Sequence, residues 1–236
     1  MAPGRGSERD LVLTTGARTR DGRRIFAGDR RAMGPYPMRM PTTINTRPPR
    51  LDWTDDPEAN RLVAGDPLAL LIGFCLDQQI PIEVAFLGPL RIRQRLGTLD
   101  PARLATTDPD TFIAAFRTPP AIHRFPRSMA ERVQGLCRIV AETYGGDASR
   151  LWREAGTAAE LHRRLTALPG YGPLKGRIVT GVLARHFGVR PAGWEEIAPD
   201  FPTLADVRTA DERRAYQAAK RAHKAAMRAQ ETEPRR

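Results

Sequence analysis

The chain has 236 residues, of which 41% are hydrophobic, and carries a formal net charge of +11, a size that suits one domain with tails and a substantial core. Its two cysteines exclude a four-cysteine iron–sulfur cluster. No stretch is long and apolar enough for a transmembrane helix or a secretory signal, so we expect a cytoplasmic protein with no membrane partner.

Most of the positive charge lies at the two ends of the chain. Residues 1–50 contain 11 arginines and 4 acids, and residues 207–236 contain 9 lysines or arginines and 4 acids. The part between them, 51–206, has 18 basic and 19 acidic side chains. We therefore expect a basic N-terminal extension, a folded domain and a basic C-terminal helix and tail, whose ends add a salt-sensitive attraction for polyanions.

The N-terminal extension, residues 1–50, is rich in Arg, Gly and Pro and lacks hydrophobic periodicity, which predicts disorder. Met33, Met38 and Met40 are alternative starts, and an over-long N terminus is the competing interpretation. From Asp56 onward, capping and proline signals separate successive helical patterns, and no strand pattern follows. The sequence therefore predicts an all-α fold.

The first strong element opens at Asp66-Pro67 and continues through an apolar run to Leu76. Because hydrophobic residues occupy every side of this run, it is typical of a central buried helix. It ends at Gln78-Gln79. A second helix is predicted to end at Leu96-Gly97, short helices to begin at Asp100-Pro101 and Asp108-Pro109, and a longer helix to run from a Ser128–Glu131 capping box to Gly145.

The segment Leu168-Pro169-Gly170-Tyr171-Gly172 separates two further helical patterns and looks like the turn of a helix-hairpin-helix. A Thr157–Glu160 capping box opens the first helix, and Pro173 opens the second. The two glycines allow positive φ and close approach of another chain, and the second helix offers unpaired N–H groups and the positive end of its dipole. Such a surface suits a backbone phosphate. A turn that merely joins two packed helices is the alternative.

The last element is an alanine-rich helix, predicted from a Thr209–Glu212 capping box to about Gln230. Four basic residues fall on one side of it at helical spacing: Lys220, Arg221, Lys224 and Arg228. Either a solvated face or a helix that follows phosphates explains this stripe.

Three segments occur in an informative order. Leu76 to Ile80 carries two glutamines after the buried helix, His123 to Val133 contains a Ser-x-Ala-x-x-aliphatic pattern, and Leu168 to Gly172 is the hairpin. Over roughly residues 66–200 they resemble the helix-hairpin-helix (HhH-GPD) DNA glycosylases, the superfamily of endonuclease III and the adenine glycosylases. The resemblance implies two helical lobes around a cleft that grips DNA and receives a damaged or mismatched base flipped out of the stack.

The resemblance also implies roles for single residues. The hairpin, Leu168, Pro169, Gly170, Tyr171 and Gly172, together with Lys175, is expected to contact the DNA backbone. Gln78 or Gln79 is expected to fill the gap left by the base or touch its edges, and His123 to approach the base. Each of these roles has a simpler alternative. Gln78 and Gln79 would be a polar pair that caps a buried helix, His123 a half-buried structural histidine, and Lys175 a lysine in solvent.

We expect no metal or cofactor, although a monovalent cation held by hairpin carbonyls is compatible with the family. The four histidines show no spacing suited to a metal site.

The catalytic chemistry is where the sequence departs from the family. Members that also cut the strand have a lysine where this chain has Leu174, and one step along a helix turns the next side chain by about 100°, so we expect no lyase activity through Lys175. Members without the lysine use an aspartate to stabilise a developing sugar cation and help water attack. Asp200 is the best match and Asp206 the reserve. Weaker candidates are Glu195 and Glu196.

The sequence thus predicts a monomeric, monofunctional DNA glycosylase of base excision repair that acts on double-stranded DNA with damaged or mismatched bases. A non-catalytic binder of damaged or bent DNA is the alternative with the same fold. A helical protein–protein adaptor is the third possibility, and it would show no affinity for DNA even at low salt.

Overall fold

The computed structural model describes residues 48–232, without the side chains of residue 224 and of residues 226–232. The disorder predicted for residues 1–50 therefore concerns positions that are almost all outside the described residues, as are positions 233–236. Within the described range every regular element is helical, and the single β-bridge, between Thr157 and Ala192, is isolated. The predicted all-α class is confirmed.

The described helices follow the order that capping and proline signals predict. They are α1 (Pro57–Gly65), α2 (Pro67–Leu76), α3 (Ile82–Leu96), α4 (Pro101–Thr106), α5 (Pro109–Arg117), α6 (Pro126–Tyr144), α7 (Arg150–Arg153), α8 (Ala158–Thr166), α9 (Pro173–His186), α10 (Trp194–Ile197), the 3₁₀ helix η1 (Leu204–Asp206) and α11 (Ala210–Thr232). Between α9 and α11 the chain forms only the two short helical turns α10 and η1.

Helix α2 is the centre of the core, as its uniformly apolar sequence predicts. All residues from Leu68 to Leu76 are buried, and α1, α3 and α6 pack around them. Asp66 Oδ1 accepts hydrogen bonds from the N–H groups of Leu68 (2.8 Å) and Ala69 (3.2 Å), which caps the helix. No single described helix is long and apolar enough to span a membrane, and only α1 and α2 together, bent by 114°, meet that test of length and composition.

The N-terminal caps show where local sequence decides a helix boundary and where it does not. The Thr209–Glu212 capping box forms in both directions, at 3.2 and 3.0 Å. The predicted box at Ser128 does not form, because α6 begins earlier, at Pro126, with Phe125 as its N-cap residue. A proline is favoured at the first helical position, where its missing N–H has no helical partner.

One hydrophobic cluster runs through the described body from Leu51 to Val207. It contains residues of α2, α3 and α6 as well as of α8, α9 and η1. The body continues past the predicted boundary at residue 206, since Arg213 of α11 is 1% exposed. The division into two lobes with a cleft stays a prediction.

Candidate nucleic-acid interface

The hairpin between α8 and α9 is anchored on one side and open on the other. Leu168 and Tyr171 are buried, whereas Gly172, Pro173 and Leu174 are exposed. Of the two glycines, only Gly170 has a positive φ, of 81°. Gly172 is extended, with φ −104° and ψ 175°, and a Cβ at this position would meet nothing within 4 Å. The entrance of α9 therefore faces solvent.

The buried side of the hairpin rests on the C-terminal half of α2. Tyr171 Oη donates to the carbonyl of Leu71 at 2.7 Å, and Cys75 Sγ donates to the carbonyl of Pro169 at 3.4 Å. A Cβ at Gly170 would come within 3.1 Å of Cys75 Sγ. The glycine at this position thus allows close packing against α2 as well as the left-handed backbone.

Lys175, expected to meet phosphate or solvent, points inward instead. Its Nζ donates to the carbonyls of Phe74 at 2.5 Å and Gly170 at 3.0 Å. The last carbonyls of a helix have no partner within it, and a cation there is favourable for the dipole. Burial lowers the pKa of Lys175, and the carboxylate of Asp77 acts in the opposite direction. Lys175 therefore joins the hairpin to the end of α2.

The contacts of Lys175 and Cys75 also affect the hairpin carbonyls, which the family resemblance allows to hold a monovalent cation. The carbonyl of Gly170 already accepts from Lys175, and that of Pro169 from Cys75. Two of the hairpin oxygens that would hold a monovalent cation thus have donors from the chain itself.

Gln78 is the point at which the three sequence segments meet. Its Nε2 donates to the carbonyl of Cys75 at 2.7 Å and contacts that of Gly170 at 3.5 Å. Its Oε1 accepts from Arg132 Nη1 at 2.6 Å, and its backbone carbonyl lies 2.9 Å from His123 Nε2. Both ends of the Gln78 amide are therefore used to hold the segments together.

Gln79 has the opposite character. It is exposed, and its φ of 57° is the one positive value for a residue other than glycine among those described. Its side chain forms no hydrogen bond with any part of the chain that the structure describes. Of the two glutamines that the sequence left as equals, Gln79 is the one available to a ligand.

His123 organises the loop before α6 rather than facing outward. Its ring is 2% exposed, and its Nδ1 accepts from the N–H of Phe125 at 3.0 Å, so Nε2 carries the hydrogen donated to Gln78. Burial lowers the pKa of His123, which keeps the ring neutral. The loop presents Phe125, 40% exposed, with the Arg124 guanidinium 4.7 Å from the centre of its ring.

The two candidate catalytic aspartates differ in their surroundings. Asp200 is exposed, follows α10 and precedes Phe201, and its carboxylate accepts no hydrogen bond from the described residues. Asp206 Oδ2 accepts from the N–H of Thr203 at 2.8 Å, and its Oδ1 pairs with Arg185. Asp206 thus caps η1, and Asp200 is free to act on a ligand. The weaker candidates, Glu195 and Glu196, are exposed on α10.

Two residues of the site were missed at the level of sequence. The sequence placed Arg132 only within the segment from His123 to Val133, and Asp77 only beside the two glutamines. Asp77 is the C-cap residue of α2, and its charge acts on Lys175 and on Tyr216. Its position at the end of a buried helix was the one local signal that it would lie near other elements.

The surface concavities lie apart from this corner, and neither thiol is exposed. Two surface concavities are formed by α1 and α3, one lined in part by Glu58 and Arg93 and the other by Thr54 and Glu83. Both cysteines are buried, and burial raises the pKa of Cys75 to about 11. In residues 48–232 no three His, Cys, Asp or Glu side chains group as metal ligands would.

No protein-family model, no curated protein and no solved structure matches this chain. Support for a function therefore comes from the corner formed by α2, the loop before α6 and the hairpin.

Proposed function

We propose that the protein is a monofunctional DNA glycosylase of base excision repair, which binds double-stranded DNA and hydrolyses the bond between a damaged or mismatched base and its sugar. The convergence on Gln78 carries this proposal. The segments that resemble the helix-hairpin-helix glycosylases are far apart in sequence, with Gln78 and Gly170 separated by 92 positions, yet they share one set of hydrogen bonds. That these segments are neighbours in the fold supports the proposal.

Backbone binding is supported by the open entrance of α9. The N–H groups of Gly172, Leu174 and Lys175 have no partner within the helix, because the first helical bond runs from Gly176 to the Gly172 carbonyl at 3.0 Å. They combine with the positive end of the helix dipole to favour an anion. A phosphodiester could approach closely, because position 172 carries no side chain.

The exposed apolar side chains support contact with bases. Three large hydrophobic residues are strongly exposed in the described part: Phe125 at 40%, Leu174 at 52% and Phe201 at 46%. They lie in the loop before α6, at the entrance of α9 and next to Asp200. Single exposed apolar residues are ordinary, but here each belongs to a segment assigned to DNA, where it can stack on bases or fill the space that a flipped base leaves.

The hydrolytic step follows from a free carboxylate. As the glycosidic bond breaks, its electrons leave with the base and the sugar develops positive charge. Asp200 would stabilise that charge and accept a proton from the water that attacks C1′, while the departing base takes up a proton. The lyase reaction is not expected, since Leu174 occupies the place of the family's lysine and Lys175 is bound to two carbonyls.

The test uses duplex oligonucleotides that carry uracil, oxidised, alkylated or mismatched bases. We expect release of at least one of them by the wild-type protein and loss of release, with normal DNA binding, in Asp200→Asn. Asp206→Asn is the matched control, because it removes one charge from a carboxylate engaged in a cap. Release by none of the substrates would refute the enzymatic part of the proposal.

A non-catalytic binder of damaged or bent DNA is the second candidate. It is favoured by the exposure of Asp200, because carboxylates of such enzymes stabilise charge more strongly in a site that excludes water. In that case wild type and Asp200→Asn would bind damaged duplexes equally, and neither would release a base. Absence of DNA binding at low salt would exclude both candidates.

A further inference from the structure

Helix α11 is attached to the body by one face of its first turns. Arg213 and Gln217 on this face are buried, and Arg213 pairs with Asp55 near the start of the described chain. Tyr216 is half-buried beside them. The attachment fixes which side of the helix faces the body.

The attached face continues along the helix as a basic stripe. Positions 213, 217, 220 and 224 are separated by three or four residues, so they share one side of an α-helix. Lys220 and Arg221 are exposed, and Arg221 Nη2 donates to Gln217 Oε1 at 3.3 Å. In sequence the stripe continues with Lys224 and Arg228. Thus the side that packs on the body in the first turns carries basic residues beyond them.

The beginning of this stripe lies beside the hairpin anchor. Lys220 Nζ is 5.9 Å from the centre of the Tyr216 ring. Burial, and to a lesser extent the charge of Asp77, raises the pKa of Tyr216 to about 12. Burial lowers the pKa of Lys175, and the charges of Arg132 and Lys220 lower it further. The charge of Lys220 on α11 therefore acts on Lys175 of α9.

Three cations from three helices act on this region. We call Arg132 of α6, Lys175 of α9 and Lys220 of α11 the cationic cluster, with Asp77 as its counter-charge. Like charges disfavour each other's charged forms. Asp206, the second carboxylate that acts on Tyr216, is paired with Arg185, so positive charge is in excess. A bound anion would relieve this repulsion, and the adjacent N–H groups at the entrance of α9 suit a phosphate.

We propose that α11 forms a second binding surface for DNA, in which the exposed Lys220 and Arg221 at the start of the basic stripe hold the sugar–phosphate backbone while the entrance of α9 holds another part of it. This inference rests on the proposed function only for the identity of the ligand. Phosphate contacts position a duplex without reading bases. The contribution of α11 is therefore independent of sequence and sensitive to salt.

An extended polyanion fits the stripe better than a membrane surface. The residues between the basic positions are mostly alanine, as at 218, 219, 222 and 225. A membrane-surface helix needs large apolar residues such as Trp, Phe or Leu opposite its basic face, and α11 offers only Tyr216 and Met227 in its length.

The test compares two charge-matched double variants of the full chain. Lys220→Gln/Arg221→Gln removes two cations from the stripe, and Arg103→Gln/Arg117→Gln removes two exposed cations from α4 and α5. Glutamine retains most of the helix propensity. Binding to a fluorescent duplex is measured as a function of salt concentration, on two duplexes of different sequence, and folding is checked by circular dichroism.

For the stripe variant we expect the slope of log K against log salt to become less steep by about 2, equally on both duplexes, since each phosphate contact contributes about 0.9. The control variant should keep the wild-type slope. Equal slopes for all three proteins would overturn the role of α11 and leave the proposed function intact. Failure of wild type to bind either duplex would overturn both, as would binding of anionic phosphatidylserine vesicles in place of DNA.

Discussion

Gly170 and Gly172 lie two residues apart in the hairpin, but their replacement by alanine should have unequal effects on stability. Gly170 has a φ of 81°, and a Cβ there would lie 3.0 Å from Gln78 Nε2 and 3.1 Å from Cys75 Sγ. Gly172 has an extended backbone and open space where its Cβ would be. The first position therefore requires glycine for folding, and the second does not.

The magnitudes follow from these two environments. A left-handed conformation costs an L-residue about 1–2 kcal/mol, and displacing Gln78 from the Cys75 carbonyl costs about a further 1 kcal/mol. Gly170→Ala should thus lower the free energy of unfolding by about 2–3 kcal/mol. Gly172→Ala should change it by less than about 1 kcal/mol, because the lower freedom of alanine in the unfolded chain is opposed by the preference for glycine over alanine at the N-cap of α9.

Urea denaturation followed by circular dichroism measures both changes. Gly97→Ala is the control, since Gly97 has a similar φ of 71° and nothing within 4 Å of its Cβ position, so it reports the conformational cost alone. If Gly170→Ala lost no more stability than Gly97→Ala, the close packing of the hairpin on Gln78 would be refuted. Folded Gly172→Ala should bind DNA more weakly than wild type, and unchanged affinity would refute the phosphate site at α9.

Three further predictions concern the buried polar groups. Tyr171→Phe should lower the free energy of unfolding in urea by about 1 kcal/mol, because it removes a buried hydrogen bond to Leu71. Asp55→Asn should lower the melting temperature, since it leaves the guanidinium of Arg213 buried without its ion pair, whereas Arg213→Met should leave it unchanged or higher. Burial lowers the pKa of His186 from 6.5 to about 4. The neutral ring therefore stabilises the fold above pH 6.5. Urea titrations at decreasing pH should show that the wild type loses this contribution, on the order of 3 kcal/mol, as the pH falls to 4. His186→Gln should not show this loss.

Local sequence predicts the helices wherever the deciding interactions are local. The apolar run of α2 and the capping box before α11 each depend on residues within one or two turns, and both form as predicted. The start of α6 was predicted three residues too late. There Pro126 outweighs the Ser128–Glu131 pattern, and the N–H of Phe125 bonds to His123 Nδ1, within a loop held by a residue 45 positions earlier in the chain.

The hairpin was identifiable from sequence, but the roles of its neighbours were not. Gln78 and Gln79 are alike in type and adjacent, and they differ because the partners of Gln78 lie 54 and 92 residues away, on α6 and in the hairpin. Lys175 shows the same limit. Helical rotation predicted that it would not share the direction of Leu174, but no local pattern indicated that the carbonyls at the end of α2 would receive it.

The division between inward and outward groups constrains how this corner could bind DNA. Hydrogen bonds within the chain occupy the polar side-chain atoms of Gln78, His123 and Lys175. These residues can therefore fix backbone positions but offer little to a ligand. Affinity must come from groups left facing solvent, which are N–H groups, basic side chains and a few apolar side chains. Phosphate contacts of this kind weaken steeply with salt, whereas stacking by Phe125 would not. The salt-insensitive part of the binding free energy, compared between wild type and Phe125→Ala, would therefore separate base contact from backbone contact.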